Sequence, residues 1–227
     1  MRKQGIFLLN FARPQKLAIK LLLRQNITSI RTDPFHLNCN GTILVDSIQH
    51  YASCVGLSPE DFMSESAKDC VVLQKGPLYL ILYNNFILCS ARKRWSVAHE
   101  IGHICCRHTS DGPAEEAQAN AFAASLLVPS IVAEELVRRK VVCSPKDLCG
   151  IFGVSVQAAE LRYQELFCHP KTALEQELLD RYLPVIEEEI HGPMISIPHR
   201  PTFEHAPVIL LATKIPKAGK TALGIFL

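Results

Sequence analysis

Apolar positions recur along this chain with two different periods, and the switches between them mark out its elements. Over residues 11–25, Ala12, Lys16, Ile19 and Leu23 fall at three- and four-residue steps and Leu22 widens the stripe, which predicts a helix. Residues 26–46 carry two turn signals, Thr32-Asp33-Pro34 and Asn38-Cys39-Asn40-Gly41, and read as loop. A short helix is predicted over 46–55. Ser58-Pro59-Glu60-Asp61 then combines a cap residue, a proline at the first helical position and acids in the first turn, a helix start. Residues 70–74 and 78–83 are rich in Val, Leu, Ile and Tyr, with Lys75-Gly76-Pro77 between them. Asn84-Asn85 precedes a further apolar run, Phe86 to Cys89. The pattern predicts a small antiparallel sheet of two or three strands, with Pro77 at a strand end where no ladder donor is lost.

From Trp95 the period becomes helical and persists to about His108. Ser110-Asp111-Gly112-Pro113 closes that helix and opens another near Ala114, which runs through Leu127 until Pro129 stops it. A third helix follows at about 130–140. Ser144-Pro145-Lys146-Asp147 starts a fourth, and Ser155 caps a fifth at about 156–167. After Ile190 the pattern dissolves into short apolar segments interrupted by prolines at 193, 198, 201, 207 and 216. The expected organisation is one domain over 1–190 and a proline-rich extension over 191–227.

Composition narrows this reading. The chain has 227 residues, 48% of them hydrophobic and 20% charged, enough for a sizeable core and too apolar for general disorder. Its 24 basic and 22 acidic residues nearly balance, which argues against a large basic face for nucleic acid. The apolar run Ile6 to Leu9 is too short for a signal peptide, and no stretch of about 18 apolar residues follows, so no membrane span and a cytoplasmic location are expected. The nine cysteines include no CxxC pair and read as reduced, mostly buried thiols. Gly219-Lys220-Thr221 lacks the glycine a phosphate loop needs at position 214, where lysine stands.

Candidate chemistry is concentrated in Trp95-Ser96-Val97-Ala98-His99-Glu100-Ile101-Gly102-His103, an HExxH pattern on a predicted helix. Histidines four apart share a helix face, so His99 and His103 can reach one metal ion, and imidazole suits zinc. Glu100 is placed to take a proton from an attacking water and return it to a leaving amine, as in amide hydrolysis. Gly102 costs a helix roughly 0.8–1 kcal/mol relative to alanine, and close approach of another element is one reason to keep it. On the next helix Glu116 and Asn120 are four apart and can both face the site. Glu116 would complete a His₂Glu set, and Asn120 could orient a ligating histidine through its outer nitrogen. Ala117, Ala119, Ala121, Ala123 and Ala124 are small enough to let the two helices approach. His108, Tyr83, Tyr79 and Tyr163 are candidate donors to an oxyanion, and the spacing does not rank them.

The stretches Arg94 to His103 and Glu116-Ala117-Gln118-Ala119-Asn120-Ala121-Phe122-Ala123-Ala124-Ser125-Leu126-Leu127-Val128-Pro129 resemble the two motifs of ImmA/IrrE-family metallopeptidases. Leu80 to Asn85 and Phe152-Gly153-Val154-Ser155, followed by Ala158, Ala159 and Arg162, also fit, so that the likeness covers roughly 78–167. It implies an α+β fold: a mainly helical, zincin-like core preceded by the small antiparallel sheet. By the same likeness His99, His103 and Glu116 would hold Zn2+ and Glu100 would act as base. Many relatives are encoded by mobile elements or phages and cleave a partner helix-turn-helix transcriptional repressor, so the resemblance implies such a repressor, encoded nearby, as the protein partner. The twelve residues between His103 and Glu116, together with Gln118 and Val128, depart from the family pattern.

Two rival readings remain at this level. One is a catalytically silent metal-binding protein that retains every ligand. The other is a DNA-binding regulator, because Pro145 to Leu166 has the outline of a helix-turn-helix. Glu160 and Glu165 on its second helix suit phosphate poorly, and direct nucleic-acid binding is not expected.

Overall fold

A computed structural model describes residues 11–63 and 69–191. The expectations for the first nine residues, for the extension beyond His191 and for Gly219-Lys220-Thr221 lie outside this range. The described elements are α1 (Ala12–Leu22), β1 (Ile43–Ser47), α2 (Ile48–Val55), a 3-10 turn (Pro59–Phe62), β2 (Cys70–Lys75), β3 (Leu78–Tyr83), α3 (Ser90–Cys106), α4 (Pro113–Leu127), α5 (Ser130–Arg138), α6 (Pro145–Phe152), α7 (Val156–Glu165) and α8 (Ala173–His191). The class is α+β, a mainly helical body preceded by a small sheet.

The sheet is mixed, in the order β1-β3-β2. β2 and β3 form the expected hairpin, antiparallel, with Val72 opposite Ile81. The third strand is not Phe86–Cys89 but Ile43–Ser47, which joins β3 in parallel with Val45 opposite Ile81. After β3 the chain turns instead of extending: the Phe86 amide donates to Asn84 Oδ1, and Leu88 is almost fully exposed, so its side chain gains nothing from a third strand there. Because side chains alternate across a strand, the sheet serves two cores. Leu80 and Leu82 pack with Ile48, Tyr51, Ala52 and Phe62 from α2 and the 3-10 turn. Ile81 faces the larger helical core, where Val97, Ala98 and Ile101 of α3 meet Phe122, Leu126 and Leu127 of α4.

The helix starts follow local chemistry. Ser47, Ser144 and Ser155 accept from the backbone amides of His50, Asp147 and Ala158, satisfying donors that the first helical turn leaves open. α3 begins at Ser90, earlier than the apolar period suggests, and Arg92 in its first turn forms an ion pair with Asp69 ahead of β2. α8 lies beyond the helices that the apolar period predicts. Thr172 and Glu175 cap it reciprocally, and Leu178, Leu179, Tyr182, Val185 and Ile186 bury its inner face in spite of Pro184 within it. No single helix among the described residues is both long and apolar enough to cross a membrane.

Candidate metal centre

α3 and α4 lie side by side, and the closeness is set at Gly102. A methyl group added there would stand 3.1 Å from the Ala119 carbonyl oxygen, 3.1 Å from Phe122 Cβ and 3.2 Å from Ala119 Cα. These are backbone and first side-chain atoms of α4, which cannot swing away as a flexible tip could. Gly102 therefore lets the two helices come together, and one face of each meets across the gap.

On that face His99, His103 and Glu116 converge, and each offers one ligand atom within 4.8 Å of the others. Glu116 Oε2 lies 3.3 Å from His99 Nε2 and Glu116 Oε1 lies 3.3 Å from His103 Nε2. The two imidazole Nε2 atoms are 2.9 Å apart. Ligands bound at about 2.0–2.1 Å to a tetrahedral zinc ion stand about 3.3 Å from one another; the two His–Glu separations, each to a different oxygen of Glu116, are of that size, and the His–His separation is somewhat short of it.

The outer nitrogens decide which lone pairs point inward. His99 Nδ1 lies 3.0 Å from Asn120 Oδ1, an oxygen that also accepts from Trp95 Nε1 at 3.3 Å. A carbonyl oxygen only accepts, so His99 carries its proton on Nδ1 and leaves Nε2 bare. His103 is handled by a longer chain: its Nδ1 is 3.1 Å from His108 Nδ1, and His108 Nε2 is 3.1 Å from Gln118 Oε1. With the Gln118 carbonyl accepting from His108 Nε2–H, His108 Nδ1 becomes an acceptor and His103 Nδ1–H donates to it. His103 Nε2 is then bare as well. The hydrogen positions and amide orientations follow from this network. Two unprotonated nitrogens and a carboxylate aimed at one point repel one another unless a cation stands between them. A proton is a poor choice, because burial, and then the neighbouring His99 and His108, push His103 down to about 4. A divalent metal fits the donor set.

Glu100, on the turn that carries His99, is pushed up to about 7, first by burial and then by the like charges of Glu116 and Asp111. It sits close enough to Glu116 to feel its charge, and burial removes the water that would otherwise stabilise its carboxylate. Asn120 stands where the sequence suggests, on the outer nitrogen of His99. His108 lies behind His103, with one ring nitrogen toward His103 Nδ1 and the other toward Gln118 Oε1. Tyr83 lies at the end of β3 with its ring 4.8 Å from that of Phe35, and is not among the side chains that meet at the cluster. Tyr163 is also remote, donating to the Cys143 carbonyl. Gln118, noted in the sequence only as a departure from the family pattern, is the side chain that fixes the tautomer of His108. It stands two residues from both Glu116 and Asn120, a spacing that gives no periodic signal for this role.

A cleft of about 1440 Å³ opens on the Asn120 side of His99, and Trp95, Asn120, Ala121, Ala124 and Arg162 are among the residues lining it. Trp95 and Asn120, the residues behind His99, are in its wall, and none of the three donors lines it. α7 forms part of its wall, and Arg162, the one cation of α7, is buried there and bonded to Ser130 and Glu165.

No curated protein matches this chain. Residues 61–164, from the 3-10 turn through most of α7, match the family described as the IrrE N-terminal-like domain of peptidase family M78. The match spans both helices of the cluster, so the segment similar to a peptidase-family domain is also the one whose side chains could hold a metal ion. Residues 61–164 of this chain are therefore similar to the IrrE N-terminal-like peptidase domain, and they carry the only three-residue metal-ligand group found among the described residues.

Proposed function

We propose that this protein is a zinc-dependent endopeptidase in which His99, His103 and Glu116 hold the metal and Glu100 is the general base. The observation that carries the reading is the convergence of two bare imidazole nitrogens and one carboxylate, each His oriented from behind, beside a half-buried acid. Zinc in that position would supply the Lewis acid that polarises a scissile carbonyl and acidifies the attacking water. Glu100 takes the proton of that water and passes it to the leaving amine. A carboxylate accepts that proton and, once protonated, is an acid able to release it to the amine, so one side chain serves both transfers. Asn120, and His108 backed by Gln118, hold the two imidazoles in the tautomer and orientation that the metal requires.

The substrate we propose is a helix-turn-helix transcriptional repressor encoded near this protein's own gene, by likeness to the activity of the family. Direct DNA binding is the less favoured reading, because the single cation of α7 is buried and its exposed positions include Glu160 and Glu165. The test compares zinc-loaded wild type with Glu100→Gln on the neighbouring repressor and on a proteome-derived peptide library. New termini should appear with wild type alone, while the variant binds zinc to the same stoichiometry. Identical termini from both proteins would contradict the role of Glu100. A cleaved library beside an intact repressor would contradict the substrate and leave the chemistry standing.

A further inference from the structure

On the opposite face of the sheet from α3, Asp46, His50 and Cys54 follow one another at four-residue steps, from the end of β1 through two turns of α2. Asp46 is held by the backbone: its Oδ1 accepts from the Ser47 amide at 2.7 Å. Its Oδ2 lies 2.7 Å from His50 Nδ1. His50 Nε2 in turn lies 3.7 Å from Cys54 Sγ, and Cys54 is exposed. Ser47 caps the helix through the His50 amide, so the imidazole is anchored from the main chain as well as from the carboxylate.

The order of these groups fixes the direction of proton transfer. A carboxylate accepts only, so His50 Nδ1 carries the hydrogen and Nε2 presents its lone pair to the thiol. The thiol proton can then move to Nε2, and Asp46 stabilises the imidazolium that forms. The other exposed thiols lack this outlet. Cys143 donates to the Lys140 carbonyl and Cys168 to those of Gln164 and Leu166, acceptors that cannot take the proton away. Among the described residues no imidazole contact is found for Cys89.

We propose that Cys54 is a site of covalent modification, a nucleophilic thiol activated by the Asp46–His50 pair and oxidised by hydroperoxides. In the step, the Cys54 proton passes to His50 Nε2 and the sulfur attacks one oxygen of the peroxide. An S–O bond forms as the O–O bond breaks. The departing hydroxide or alkoxide takes the proton from His50 and leaves as water or alcohol. Sulfur ends as a sulfenic acid, oxidised by two electrons, and the peroxide is reduced by two. This site is independent of the metal centre, since the sheet separates α2 from α3.

The full chain supplies its own controls. Site-resolved mass spectrometry follows iodoacetamide labelling of Cys54, Cys89, Cys143 and Cys168 at neutral pH, and trapping of sulfenic acid by a dione probe after hydrogen peroxide. Cys54 should alkylate about tenfold or more faster than the other three, because His50 Nε2 stands ready to take its proton. His50→Gln should remove that advantage and leave the other three rates unchanged, and Asp46→Asn should reduce it in part. Sulfenic acid should be trapped at Cys54 in wild type and lost in His50→Gln. Equal rates at all four cysteines in wild type would overturn the proposal, as would an undiminished Cys54 rate in a folded His50→Gln protein. Labelling of buried Cys70 reports unfolding, in which case the wild-type comparison alone decides. Fast alkylation without sulfenic acid at Cys54 would overturn the assignment of hydroperoxide as the oxidant.

Discussion

Glu100 and His103, both on α3, are driven in opposite directions by burial. Glu100 rises from an ordinary value of 4.5 to about 7, and His103 falls from 6.5 to about 4. Each displacement favours the neutral form, and each has its own consequence for stability. Between 4.5 and about 7 the folded protein holds a proton on Glu100 that the unfolded chain releases, so stability from this group falls as pH rises through that window. For His103 the unfolded chain takes up a proton below 6.5 that the folded protein refuses until about 4, so stability falls as pH drops through that window. Glu100→Gln isolates the first effect. In chelator-treated protein the variant should be more stable than wild type at pH 8, by up to about 3 kcal/mol, since each pH unit between the folded and unfolded values is worth roughly 1.4 kcal/mol. The gain should shrink below about 1 kcal/mol at pH 5, where the unfolded chain too is regaining its proton. Thermal or urea unfolding at the two pH values measures it, and a gain independent of pH would show that Glu100 is not held as a half-buried acid.

At the scale of elements the decisive object is the α3–α4 pair, and its spacing rests on Gly102. Gly102→Ala gains roughly 0.8–1 kcal/mol of helix propensity, but overpacking against fixed atoms typically costs about 1–3 kcal/mol. A net loss of a few degrees in Tm is expected. A larger effect is expected on zinc affinity, about tenfold weaker, because pushing α4 outward moves Glu116 and Asn120 with it. Gly150 in α6 is the control, since nothing lies within 4 Å of a methyl group added there. Gly150→Ala should leave zinc affinity unchanged and raise stability by roughly 0.4–1 kcal/mol. Calorimetric titration and unfolding of the two variants check both halves. The same pair of helices was largely legible in the sequence, because helices announce themselves by period and by caps, and four-residue spacing puts ligands on one face without any knowledge of the fold. Gly102 was legible too, as a residue whose cost needs a reason. What sequence could not yield came from contacts between distant segments. β1 is a short apolar run, Ile43-Leu44-Val45, beside a turn signal, and its strand character comes from pairing with β3 more than thirty residues later. α8 lies past the last helix that the apolar period marks, although Thr172-Ala173-Leu174-Glu175 has the form of a capping box. His108 faces the back of His103 because Arg107 ends α3 in the left-handed conformation and redirects the chain, a turn that helical projection does not foresee.

Across the whole molecule, one small sheet divides two chemistries. Its Ile81 side supports the helices that bring His99, His103 and Glu116 together, and its Leu80–Leu82 side carries the α2 helix with Asp46, His50 and Cys54. The nine cysteines make the identity of the metal ligands a sharp question, since thiolate is a strong zinc donor. None of them belongs to the metal-ligand group found among the described residues. X-ray absorption at the zinc edge on protein loaded with one equivalent of zinc answers it most directly. It should show nitrogen and oxygen neighbours at about 2.0–2.1 Å with the outer-shell scattering of two imidazoles, and Glu116→Ala should remove one oxygen neighbour. A sulfur shell at about 2.3 Å, or zinc that is not retained, would contradict the His99–His103–Glu116 site.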